Sequence, residues 1–364
     1  MQLCYNYHIM EIRTSMKISA VYHLALCCTA VICLQASPVQ EKIYDVPKAT
    51  VIYKISGGGA LTPDLNLTLE GTGKLSFKDW GAVELLEEHI EEKTTGTLHY
   101  VAHRDMCEKH QKNQILDVDF KHKKIRERLL PEGKGTVNLT EGLSLTGQQM
   151  VANVVCDMWE GEGVKRCLYK GIPLFTEYQA VGILYREEAV DVSFDINITD
   201  KSHCSIPAYP VEKFALYTGN FKTRSKKTPK SFSERVKEVL ETVRKKGWID
   251  EPVPPREKKQ LLEKIGEPVF EKEKQLLPDL LQTMKKSRAC LVQAQSTQQA
   301  NHCLNSLVKL KTYFTDNSQN RVENWEKERT KLLERFDENI VFLQSKMKCV
   351  RGAKNLHDLS VCMK

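Results

Sequence analysis

The chain has 364 residues, room for two domains, and its 54 Lys and Arg against 47 Asp and Glu leave a net charge of +7. With 28% charged and 41% hydrophobic residues it has the make-up of a globular protein, which sets aside disordered and fibrous classes. Basic and acidic residues are interleaved along most of its length, without the basic and aromatic alternation of a nucleic-acid surface, so no nucleic-acid partner is expected.

The first 36 residues read as a leader. Lys17 precedes an apolar run from Ile18 to Leu34, which ends at the small-residue site Leu34-Gln35-Ala36, the pattern of a secretory signal. Translation starting at Met16 and cleavage after Ala36 would leave Ser37 as the terminus; an uncleaved leader would tie the chain to the membrane instead. The localisation expected is therefore periplasmic or extracellular. Cys4, Cys27, Cys28 and Cys33 leave with the leader, and an even set of eight cysteines remains, as suits an oxidising compartment.

From residue 37 to 218 the sequence predicts a β domain. Nine short segments alternate or run apolar between turn signals: ATVIYKISG, LNLTLEGTGKLSF, AVELLEEHIEE, TGTLHYVAH, QILDVDF, QQMVANVVCDMW, VKRCLYK, PLFTEYQAVGILYRE and AVDVSFDIN. None of the connections holds a crossover helix, so the strands are expected to form an antiparallel meander. Its centre is the stretch CDMWEGEGVKRCLYKGIPL, a hairpin reversing near Glu162, which brings Cys156 and Cys167 close enough for a disulfide.

The VxxxxCxxW strand, the GVKRCLYKGIPL hairpin and the long strand after them resemble a family of small exported proteins of unknown function found in campylobacteria. So do ATVIYKISG, GTGKLSFKDWG and QILDVDFKHKK upstream, and the likeness runs from about Lys48 to Leu216. It implies a half-barrel β domain similar to those of LolA and LppX, and it carries no catalytic residues over. The chain departs from the family pattern at HRDMCEKHQKN, before Ile115.

A lysine-rich linker, 219–231, leads to a helical domain at 232–364 in which glycine is rare. SFSERVKEVLETVRKKG opens with a serine cap and stops at Gly247, and the cluster of Pro252, Pro254 and Pro255 separates it from the next helix. Three longer helices are expected near 267–286, 297–314 and 319–348; in the last, Val322, Trp325, Leu332, Phe336, Ile340, Leu343 and Met347 form a stripe suited to a bundle core.

This half contains an internal repeat: CLVQAQSTQQANHC (Cys290 to Cys303) aligns without gaps on CVRGAKNLHDLSVC (Cys349 to Cys362). A continuous helix would hold each pair of cysteines about 19 Å apart at 1.5 Å per residue, too far for a disulfide. Each unit should therefore break into a corner, with Ser296 or Asn355 capping the second helix and Gln299 or Asp358 as the capping partner. A disulfide across each corner would contribute on the order of 3 kcal/mol by loop closure. Elimination leaves Cys107 to pair with Cys204.

Chemistry-bearing clusters are few. His99, His103, Cys107 and His110 are spaced for one face of a helix and suit zinc or copper, although LHYVAH alternates like a strand, on which His110 would face away. The acidic run Glu87 to Glu92 reads as charged strand surface. No haem, phosphate-loop, nucleophile-elbow or CxxC motif occurs, so neither a cofactor nor an enzymatic activity is expected. The expectation is an exported α+β protein that binds a partner or serves as a structural envelope component, its partner a lipid or an envelope protein. The competing expectation is a LolA-like carrier holding a lipid or acyl chain in a trough lined by Val181, Ile183 and Leu184.

Overall fold

The structure, a computed structural model, describes residues 42–111, 114–120, 122–129, 138–194, 205–213, 230–249, 251–311 and 321–364. Among these residues two meanders meet in one open sheet of twelve strands, and five α-helices complete an α+β fold. The first meander runs through β1 (Ala49–Thr62), β2 (Leu65–Lys78), β3 (Val83–Gly96), β4 (Tyr100–Gln111), β5 (Gln114–Asp119) and β6 (Lys124–Leu129). The second runs through β7 (Ser144–Val151), β8 (Val154–Gly161), β9 (Val164–Tyr169), β10 (Ile172–Ala180) and β11 (Ile183–Ser193), and β11 pairs antiparallel with β1 to join them. A short β12 (Val211–Lys213) adds a parallel edge beside β6.

The second meander is a chain of tight hairpins. Its four connections are the two-residue turns Ala152-Asn153, Glu162-Gly163, Lys170-Gly171 and Val181-Gly182, and all eight residues have positive φ. That is the geometry whose twist matches paired strands, and Asn or Gly at each second position makes it accessible. Two of the expected strands, QQMVANVVCDMW and PLFTEYQAVGILYRE, are therefore hairpins instead. Ala152 and Val181, poor residues for a left-handed conformation, hid the reversals.

The disulfide Cys156–Cys167 has a Cα separation of 5.4 Å and clamps the β8–β9 hairpin, which turns at Glu162 as expected. In the register Cys167 stands opposite Met158, so Cys156 is its diagonal neighbour.

The helices are α1 (Phe232–Lys245), α2 (Pro255–Gln293), α3 (Thr297–Lys311), α4 (Trp325–Gly352) and α5 (Leu356–Met363). α1 begins with a full capping box between Ser231 and Glu234. α2 starts well before the expected Glu267 and continues through Pro268 and Pro278. Each proline forfeits one bond to the carbonyl four residues back, but Leu261, Ile265, Val269, Phe270, Leu276 and Leu277 are buried along one stripe, and that packing carries the helix across both.

The two cysteine repeats form corners as expected. Disulfides Cys290–Cys303 and Cys349–Cys362 have Cα separations of 5.6 and 5.5 Å. Backbone N–H groups of Gln299 and Asp358 donate to the side chains of Ser296 and Asn355, while Gln299 and Asp358 accept from Gln295 N and Lys354 N. The carbonyl of Ala294 accepts from Trp325 Nε1 at 2.8 Å, and that of the repeat-equivalent Ala353 accepts from Lys274 Nζ. Of the expected core stripe, Val322, Trp325, Phe336, Ile340, Leu343 and Met347 are buried.

The change at the linker is one of element type, and the two halves share a core. Phe232, Val236, Val239, Leu240 and Val243 of α1 belong to one apolar cluster with Val164, Ala180, Ile183 and Tyr185 of the sheet and with the stripes of α2 and α4. The rings of Tyr185 and Phe232 lie 6.4 Å apart. Gly266 of α2 sits where a Cβ would come within 2.4 Å of Leu356 and 3.5 Å of Leu61 in β1, so its missing side chain is what lets helix, corner and sheet meet. Ion pairs Arg235–Glu92, Arg244–Glu162 and Lys364–Asp64 cross the same boundary. The segments expected as a β domain and a helical domain thus share one core, in which helices cover the sheet.

Candidate functional site

Strand alternation gives the sheet two chemically different faces. On the inner face, Ile55 of β1, Leu67 and Leu69 of β2, Ile90 of β3, and Ile183 and Tyr185 of β11 lie in the core under the helices. The opposite, outer face of β1 to β4 carries the polar alternates.

The expected trough lies on the inner face, and protein fills it. Ile183 is fully buried in the core shared with α1. Val181 occupies the β10–β11 turn and is partly buried against that core, and Leu184, one residue beyond Ile183, faces the other way. The three residues do not line a common space. An acyl chain and α1 would compete for the same side chains.

Between the core under the helices and the cluster around Cys156–Cys167 the inner face is ionic. Arg104 Nη2 donates to Glu88 Oε2 at 2.8 Å, and Glu187 reaches over β1 to the surface left bare by Gly73, where a Cβ would lie 3.3 Å from its Oε1. Burial, and then the neighbouring Glu88 carboxylate, push Glu187 up to about 8; burial likewise raises Glu88, opposed by Arg104. Two carboxylates beside one arginine in a half-dry space are eased by a proton. The run Glu87 to Glu92 is thus only half surface: Glu88 and Glu92 point inward with Ile90, whereas Glu87, His89 and Glu91 point outward.

The four-residue metal set does not assemble. Its spacing presupposes a helix, and Tyr100–Gln111 is a strand, on which His103 and Cys107 are about 13 Å apart at 3.3 Å per residue. His110 lies on the opposite face near Glu84 and Glu108, and His99 precedes the strand. Cys107 is buried with Val83, Leu85, Val118 and Ile125 in a small cluster of its own, where burial pushes its thiol up to about 11. Its expected partner Cys204 lies outside the described residues; Ile206, two positions on, packs against the Cys107 cluster.

The outer face holds a groove of about 630 Å³ across β1 to β4, lined by Lys54, Ser56, Glu70, Thr72, His89, Glu91, His103 and Asp105 together with backbone of the intervening residues. In the β3–β4 register His89 stands opposite Asp105 and Glu91 opposite His103. His89 Nδ1 lies 2.7 Å from Asp105 Oδ1, and His103 Nδ1 lies 3.5 Å from Glu91 Oε2. Glu70 stands opposite Glu91 on the β2 side, a like-charge pair across neighbouring strands. Of these groove residues the sequence pattern points to His103 and, within the acidic run, to Glu91. The signal was present in HIE of β3 and HRD of β4: two His-x-acid triplets on antiparallel neighbours cross-pair when the register sets one against the other. Among the described residues no group of three or more His, Cys, Asp and Glu side chains is positioned to hold a metal ion, and no helix is long and apolar enough to cross a membrane.

Comparison with known proteins adds no family. No protein-family model matches the chain, and no curated protein does. Among solved structures the chain is similar to an uncharacterized conserved protein from Thermus thermophilus, at 10% identity and a TM-score of 0.27, over 45% of this chain and 91% of that one. A likeness at that level assigns neither family nor activity.

Proposed function

We propose that the protein is an exported, non-enzymatic component of a bacterial envelope, periplasmic or released, which acts by binding a partner through a rigid, disulfide-braced body. The observation that carries this reading is the set of three disulfides among the described residues, each closing a short local loop, which fits an oxidising compartment and the signal-like leader. The sequence offers no catalytic motif, and the reading of a binding or structural role rests on that braced body. The test is fractionation of cells expressing the full chain: recovery outside the cytosol with a terminus at Ser37 supports the proposal, and recovery as reduced, full-length cytosolic protein refutes it.

The narrower reading, a LolA-like carrier, is favoured by one feature, the apolar stretch of the inner face that lies under α1. It requires α1 to leave that face, since Phe232, Val236, Val239, Leu240 and Val243 now cover it. Native mass spectrometry of protein taken from its own envelope separates the two: a retained lipid supports the carrier, and a bare polypeptide mass supports the self-filled body.

A further inference from the structure

We propose that His89 and His103 form a two-imidazole site for a divalent transition metal on the outer face of the sheet, with Asp105 and Glu91 as the groups that orient them. The positions follow from the register. His89 and His103 occupy diagonal corners of a two-by-two array on β3 and β4, and Asp105 and Glu91 occupy the other two corners. Diagonal neighbours have Cα atoms about 7–8 Å apart, within the span of two imidazoles converging on one ion. Both rings project from the same face into the 630 Å³ groove.

The chemistry of the pairs points the same way. Each ring presents Nδ1 to a carboxylate, at 2.7 Å for His89 with Asp105 and 3.5 Å for His103 with Glu91. When Nδ1–H is donated to a carboxylate, the lone pair of the neutral imidazole sits on Nε2, and the carboxylate makes that nitrogen a better donor. Histidines in metal sites are held in this way by their outer partners. That hydrogen bond is formed by His89, while His103 and Glu91 make an ion-pair contact in the same groove, and in both rings Nδ1 is the nitrogen turned to the carboxylate. Charge favours a cation as well: Glu70, Glu91 and Asp105 outnumber Lys54 along the lining, and Glu70 and Glu91 oppose one another without a basic residue between them. Among the described residues no third His, Cys, Asp or Glu joins these two in a group placed to hold an ion, so the proposed site is open, and water or a donor from a binding partner completes the coordination. Imidazole ligands with free positions suit Zn²⁺ or Cu²⁺ and not Ca²⁺ or Mg²⁺, which need oxygen cages.

The site differs in membership from the set suggested by helical spacing, and it does not depend on the envelope reading. The test is calorimetric titration of the purified, disulfide-intact protein with Zn²⁺ and with Cu²⁺, alongside His89→Ala, His103→Ala, the double variant, Asp105→Asn and His110→Ala. All the substituted positions are exposed or only half-buried, and thermal melts verify that each variant is folded. One equivalent of metal is expected, with affinity at least tenfold lower in either single histidine variant, no binding in the double variant, a loss of about tenfold in Asp105→Asn, and no change in His110→Ala. The Cu²⁺ complex should show two nitrogen ligands by electron paramagnetic resonance. No stoichiometric binding in the native protein, binding that survives the double substitution, or an equal loss in His110→Ala would each overturn the proposal.

Discussion

Glu273 lies in the middle of the buried stripe of α2, between Val269 and Phe270 on one side and Leu276 and Leu277 on the other. It is 1% exposed, and its Oε1 has no hydrogen-bond partner. Burial alone raises it from 4.5 to about 8. Its folded pKa lies above its unfolded one, so the folded state holds the proton more tightly. Stability is therefore fully present below about pH 4.5 and declines as pH rises toward 8. At 1.36 kcal/mol per pH unit the decline approaches about 5 kcal/mol over the whole interval and about 3 kcal/mol by pH 7.

Glu273→Gln removes the titration but keeps the shape, and Glu273→Leu also satisfies the apolar surroundings. Urea unfolding of disulfide-intact protein at pH 5, 7 and 9 is the assay. The advantage of Glu273→Gln over the native chain should grow by about 2 kcal/mol or more between pH 5 and pH 7 and level off above pH 8. Glu187, raised in the same direction, adds a slope of its own, so the comparison is between native chain and variant at each pH. A difference that stays constant from pH 5 to pH 9 would refute the reasoning, because it would mean that Glu273 titrates alike in folded and unfolded chains.

Gly266→Ala forces a Cβ against Leu356 and should cost about 1–3 kcal/mol by overpacking; a variant that melts like the native protein would show that the corner yields. Trp325→Phe removes the donor to the Ala294 carbonyl in a buried setting and should cost about 1–3 kcal/mol in urea unfolding, whereas an unchanged midpoint would mean that water replaces the indole. An isolated fragment of residues 37–218 exposes the inner-face surface of Ile183 and Tyr185 that α1 covers, so it should give no cooperative melt by near-ultraviolet circular dichroism; a sharp transition would restore two independent domains.

Local signals were legible in the sequence and long-range ones were not. The reversal at Glu162, the capping pairs of Ser296 and Asn355, and the broken helices between paired cysteines are each set by residues within one turn or corner of one another, so spacing alone located them. The hairpins at Ala152-Asn153 and Val181-Gly182 were missed because their first residues do not favour positive φ, and neighbouring strands impose it. The continuity of α2 through Pro268 and Pro278 depends on what the helix packs against, which no local propensity reports. The groove was the least visible feature. His89 and Asp105 are 16 residues apart and meet only through the β3–β4 register. The helical period that grouped His103 with Cys107 and His110 was the wrong period for a strand.

The measurement that bears most directly on the account is non-reducing peptide mapping of the protein recovered from the envelope of its own cells. Linked peptides joining Cys156 to Cys167, Cys290 to Cys303 and Cys349 to Cys362, on a chain beginning at Ser37, are the predicted result. The same cysteines found as free thiols, or joined in other pairs, would contradict it.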